Sequence, residues 1–188
     1  MSFDWFMLHN QADSASAKTF EFRCSACGQT HSGSPSFAYA QPPHYFTIPE
    51  HERDSRVQSD ADTCVIDEEL FFIRTILEIP IIGADAPFTW GIWVSQSRES
   101  FERYLATYHQ DQSGDRSFGW LTVTIPGYVD SSGASEWDSL PCDVTWASAG
   151  QRPTLRLHAG EHQLIADQRN GISWQRAIEL SRLTMHGA

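Results

Sequence analysis

The sequence predicts an α+β fold: a largely antiparallel sheet with packed helices and a zinc-knuckle-like loop near the N-terminus. Three observations carry this. Strand-like runs cluster in the middle of the chain without regular alternation with helices, the pattern of α+β rather than of a parallel α/β sheet. Clear helical spacing follows those runs instead of interleaving with them. Cys24-Ser25-Ala26-Cys27-Gly28, with His31 shortly after, has the form of a metal-binding turn.

The elements follow in order. Residues 10–17 are small and polar and read as a linker, after Trp5-Phe6-Met7-Leu8, a short element expected to dock on the domain. The division is therefore an extension over 1–17 and a single α+β domain over 18–188. Lys18 to Arg23 alternates polar and aromatic residues, the period of a half-buried strand. Residues 33–49 are rich in proline and predict a loop or edge segment. Pro49 opens a short helix from Glu50 to Val57, with acids in its first turn. From Cys64 to Ile82 the chain is dense in β-formers, and Phe88, Trp90, Ile92 and Val94 place one face of a further strand inward. Ser95 and Ser97 offer N-caps to a helix carrying Phe101, Tyr104, Leu105 and Tyr108 on one face. Strands are expected over 118–125, 140–146 and 154–158. Short helices follow near 161–169, stopped by Gly171, and from Trp174 towards Met185 under a Ser173 cap.

Composition bounds the function. The 188 residues carry a formal net charge of −11, with 7 Trp and 11 Phe. A chain of this length buries roughly 70% of its unfolded surface, enough for a full core. Binding nucleic acid through its phosphates needs clustered Lys and Arg, and the single lysine and acidic balance argue against it. No apolar run reaches the ~18 residues of a membrane span, and the first residues lack a basic leader, so a cytoplasmic protein is expected. The charge is uneven: Glu50 to Glu69 carries −6 and Gly127 to Ala149 carries −4, whereas the segment from Gly150 onward carries +2. Glu50, Glu52, Asp54, Asp60 and Asp62 are the candidate face for a basic partner; the plainer reading is solubility.

The four cysteines are at 24, 27, 64 and 142. Two thiolates spaced by two residues bend around one tetrahedral ion, and Gly28 permits the tight turn this requires. His31 lies close enough to give a nitrogen ligand. Cys64 is the first choice for the fourth donor, with Cys142 and His162 in reserve, and the ion expected is a structural Zn²⁺. A redox pair is the competing reading, but its usual βαβ context is missing. An inert pair of core thiols is another, and a disulfide scaffold does not suit a large core.

Phe22-Arg23-Cys24-Ser25-Ala26-Cys27-Gly28-Gln29-Thr30-His31, Pro35-Ser36-Phe37 and Asp62-Thr63-Cys64-Val65-Ile66-Asp67 resemble the bacterial domain of unknown function 2199. The likeness extends through Phe71-Phe72-Ile73-Arg74, Glu78-Ile79-Pro80, Trp90 to Ser95, Phe118 to Leu121, Arg152-Pro153, Glu161 to Leu164 and Gly171 to Ser173. It covers roughly residues 20–178. Two positions depart from the family pattern: Gln163 where a proline is usual, and Thr75 where a glycine is common. The resemblance supports Cys24, Cys27, His31 and Cys64 as a set and implies no established activity.

Other constellations have plainer readings. His31, His158 and His162 with Asp67 suggest a hydrolytic metal centre, yet nothing in their spacing forces them together. Trp90, Trp93, Trp120, Trp146 and Trp174 would line a groove or, more simply, fill the core. Arg74, inside an apolar run, needs a partner, for which Asp67 or Glu78 is available. The function expected is a non-enzymatic, zinc-stabilised acidic protein binding a basic partner, of the immunity type that blocks nuclease-like bacterial toxins. The rival is a metal-dependent hydrolase with a His/Cys-bound metal.

Overall fold

A computed structural model describes residues 18–129 and 139–186. The extension and linker expected over 1–17, with Trp5–Leu8, lie outside the described residues. Three short strands come first: β1 (Glu21–Arg23), β2 (Thr30–Ser32) and β3 (Ser36–Ala38). Two 3₁₀ turns, Pro43–Thr47 and Glu50–Glu52, lead into a one-turn helix α1 (Arg53–Arg56). Then come β4 (Val57–Ser59), β5 (Thr63–Ile66), β6 (Leu70–Ile79), β7 (Phe88–Gln96) and helix α2 (Arg98–Thr107). The rest is β8 (Arg116–Thr122), β9 (Ser139–Thr145), β10 (Thr154–Leu157), α3 (Gln163–Asn170) and α4 (Trp174–His186).

The sheet is a closed barrel with extensions rather than a simple antiparallel sheet. Strands β6 to β10 follow one another as an antiparallel meander, and β10 returns to β6 at Thr154↔Ile76. In a meander of five strands the first and last run the same way, so the closing pair is necessarily parallel. Two long strands make this possible by dividing their second edges. β6 gives Leu70–Ile73 to β5 and Ile76 to β10, while β7 gives Thr89–Gly91 to β3 and Val94–Ser95 to β8. Where β6 changes partner, Arg152 Nε donates to Asp62 Oδ1 at 2.5 Å, pinning the start of β5 to the start of β10.

Alternation decides what fills the barrel. Phe88, Trp90, Ile92 and Val94 are all buried, as the sequence pattern requires. They pack with Ile73, Leu77 and Ile79 of β6, Leu121 of β8, Val144 of β9 and Trp146 just beyond it. Trp93 faces the other way, into a smaller cluster with Ile48, Cys64, Ile66 and Phe72. β7 is therefore covered on both sides. The barrel is tight at Gly119, where a Cβ would lie 2.4 Å from Ser95 O.

Helix α2 forms where expected, and the Ser97 side chain accepts from Ser100 N at its start. Phe101 and Tyr104 are buried and Tyr108 is partly so, but Leu105 is 47% exposed. The apolar stripe is narrower than its spacing suggests because Tyr104 and Phe101 alone meet Trp146 and Phe71. The helix expected from Glu50 to Val57 is limited to the 3₁₀ turn and α1, since β-branched Val57 turns extended and pairs with Ile66. Arg74 finds neither Asp67 nor Glu78: Nη1 donates to Ala61 O at 3.1 Å, and the guanidinium lies over the Trp93 ring. Of the tryptophans, Trp90, Trp93 and Trp146 are core, whereas Trp120 is 46% exposed. Among the described residues no helix is long and apolar enough to cross a membrane.

Candidate metal centre

The N-terminal hairpin is a separate two-stranded sheet, with Phe22 opposite His31 in register. Its connecting turn begins at Cys24. Gly28 N donates to Cys24 O at 2.9 Å, Cys24 N donates to Gln29 O at 2.7 Å, and Gly28 takes a positive φ of 72° that side chains with a Cβ adopt at a cost. That tight turn brings Cys27 back towards β2, where His31 Nε2 lies 3.4 Å from Cys27 Sγ. The His31 ring stacks on Phe22, with centroids 5.2 Å apart, which fixes its orientation.

The fourth member arrives from the far end of the chain. Helix α4 begins with Trp174, whose ring meets Phe20 and whose Nε1 donates to Glu21 O at 3.2 Å. Ala177, Leu180 and Ser181 bury its inner face. Its last residue, His186, places Nε2 3.4 Å from Cys24 Sγ. Donor atoms of Cys24, Cys27, His31 and His186 all lie within 4.8 Å of one another. A tetrahedral zinc with bonds of ~2.3 Å to sulfur and ~2.0–2.1 Å to nitrogen has S···N edges of roughly 3.5 Å. The two S···N separations of 3.4 Å match that edge and the other donor pairs lie within 4.8 Å, so the residues present fit a metal ion.

Local electrostatics favour the ligating form of Cys24. Its thiol is held below the usual cysteine value, first by the Cys27 backbone N–H directed at the sulfur, with burial opposing this. The Ala26 N–H, the Cys27 thiol and the positive charge of Arg182 add to the lowering. Thiolate is the species that binds metal, so the turn prepares its own ligand.

Cys64 is not in this group. It lies in β5, fully buried in the cluster with Phe72 and Trp93, and burial pushes its thiol up to about 11. Cys142, a reserve, is also fully buried; burial takes its thiol to about 12, and its Sγ donates to Gly119 O at 3.4 Å. Both are core thiols. His162, the other reserve, caps α3 by accepting from Leu164 N at 3.1 Å. His158 bonds to Asp143 at 2.9 Å, and Asp67 is gripped by Arg56, so the alternative set of His31, His158, His162 and Asp67 is not assembled. Sequence spacing had no means of finding His186. It is 155 positions beyond His31, and its only local mark is the end of an amphipathic helix.

The acidic stretch divides in two. Glu52 and Asp67 both hold Arg56, at 2.6 Å each. Asp60 Oδ1 accepts from the Asp62 and Thr63 amides, and Asp62 holds Arg152. Glu50 and Asp54 are exposed without such partners among the described residues, as is Glu69. Of the second acidic stretch, Asp130, Glu136 and Asp138 lie outside the described residues.

A family model described as an uncharacterized protein conserved in bacteria (DUF2199) matches residues 23–172. No curated protein and no solved structure matches the chain. Cys24, Cys27 and His31 fall inside the matched range and His186 beyond it. With the match spanning most of its length, the chain belongs to the DUF2199 family of bacterial proteins.

Proposed function

We propose that the chain is a non-enzymatic, zinc-stapled acidic domain that binds a basic protein surface. The observation that carries the staple is the set of two thiols and two imidazoles within 4.8 Å, drawn from the first hairpin and the last helix. Two sulfur and two nitrogen donors in a tetrahedral arrangement suit zinc best among common ions. Four protein donors complete its shell, the arrangement of structural sites; catalytic zinc keeps one position for water. The staple would hold α4 to the hairpin, joining parts of the chain that the barrel does not otherwise connect by strands.

The acidic face is then narrower than the sequence suggests, because Glu52, Asp60, Asp62 and Asp67 hold the protein together. Glu50, Asp54, Glu68 and Glu69 are the exposed acids that support the partner reading, with a basic protein as the occupant. A nuclease-like toxin is the partner class whose phosphate-binding surface matches, with charge steering raising the association rate about 10–1,000-fold at low salt. The test is capture of a basic partner from host lysate by wild type and by Glu50→Lys/Asp54→Lys at two salt concentrations. Reduced capture by the variant, strongest at low salt, supports the reading; equal capture refutes the acidic face.

A further inference from the structure

A groove separate from the Cys/His cluster opens at the seam of the barrel. β6 and β10 pair only at Thr154↔Ile76, after which they diverge. The gap is not closed by strand pairing, because α3 occupies the edge of β10. Gln168 Nε2 donates to Leu155 O at 2.9 Å and its Oε1 accepts from Leu157 N at 2.8 Å, the two bonds a neighbouring peptide unit would make. The result is a preformed cavity of about 600 Å³, within the usual range for small-molecule sites. Its floor includes buried Leu155, Leu157 and Ile165.

The lining carries charges of both signs. Arg156 of β10 and Arg169 of α3 line the groove, as do Glu78 of β6 and Asp85 of the β6–β7 connection. All four are exposed. Among the described residues neither arginine has a hydrogen-bond or ion-pair partner, nor has Glu78, and Asp85 accepts only from Thr19. Charges of both signs therefore line the groove without pairing to one another, although most other arginines of this acidic chain are engaged. A doubly charged anion would meet the two acids as well as the two arginines. A molecule that carries both charges on an apolar body satisfies both kinds of charge and the apolar lining together.

We propose that this groove binds a small zwitterion with an apolar body, a free dipeptide or apolar amino acid, its carboxylate on Arg156 and Arg169 and its ammonium towards Glu78 and Asp85. The experiment is calorimetric titration of the full chain with leucyl-leucine, its N-acetyl form, its C-terminal amide and inorganic phosphate. Methyl NMR shifts of Leu155, Leu157 and Ile165 are recorded alongside. Leucyl-leucine is expected to bind saturably and to shift those methyls, with either blocked form at least about tenfold weaker because a charge-assisted contact is lost. Arg156→Gln/Arg169→Gln and, separately, Glu78→Gln should each weaken it by a similar factor, with unchanged thermal midpoints since all three positions are exposed. No saturable binding up to about 10 mM, where affinity is negligible, would overturn the proposal. So would equal binding of the blocked forms, binding of phosphate alone, or variants that bind as wild type does.

Discussion

Replacing Gly119 by Ala tests whether the barrel closes as described. The position lies on β8 directly against β7, and an added Cβ would sit 2.4 Å from Ser95 O, 2.4 Å from Val94 Cγ1 and 2.6 Å from Gln96 Nε2. Ordinary contacts between such atoms lie near 3.5 Å, so β7 and β8 would have to separate by roughly 1 Å. Their pairing is short, Val94↔Leu121 and Ser95↔Trp120, and cannot be displaced by that amount intact. Overpacking alone costs up to ~3 kcal/mol, and weakening two hydrogen bonds adds ~1 kcal/mol each. The expected loss is about 3–5 kcal/mol, with a fall of roughly 6–20 °C in thermal midpoint at ~2–4 °C per kcal/mol. Gly160→Ala is the control, because its Cβ would meet only the flexible end of Ile165, at 3.0 Å. Chemical and thermal unfolding of both variants gives the comparison. A loss below ~1 kcal/mol in Gly119→Ala, or equal losses in the two, would refute the tight β7–β8 approach.

Phe101→Ala removes a ring packed on Phe71 and only 4% exposed, so denaturant unfolding should show a loss of ~3–5 kcal/mol. Glu68 has a φ of 56° in the turn between β5 and β6, where glycine is unstrained; Glu68→Gly should raise stability by ~0.5–1 kcal/mol in the same assay. Metal binding displaces protons from its donors, so bound zinc should be released as the solution is acidified, read with a chromogenic chelator. Arg152→Ala cuts the tie to Asp62 that spans the seam of the barrel, and hydrogen exchange at Ile76 should accelerate while the Cys/His cluster keeps its metal.

Local patterns carried much of this architecture. The alternating aromatics of β7, the capped α2 and the Cys-x-x-Cys turn with His31 each leave a short-range signature, and each is where the pattern puts it. Barrel closure is different in kind. It depends on β6 and β7 dividing their edges between partners, and nothing in the runs Leu70–Ile79 or Phe88–Gln96 marks where one partner ends and the next begins. The roles of the acids were hidden for the same reason. Asp62 and Arg152 are 90 positions apart, and Arg56 meets Asp67 across a hairpin, so a charge run that looked like one surface is partly internal bracing. Cys64 looked the best fourth donor because it begins a strand after the metal-binding turn. That strand instead carries it into the cluster behind β7, and the helix that supplies His186 is positioned by Trp174 and Leu180.

Metal stoichiometry of the full chain, purified without chelator, tests the central claim most directly when measured across five single variants. Elemental analysis should find one zinc per chain in the wild type and in Cys64→Ser. Cys24→Ser, Cys27→Ser, His31→Ala and His186→Ala should each lose most of it. Zinc absent from the wild type, or retained in His186→Ala and lost in Cys64→Ser, would contradict the account.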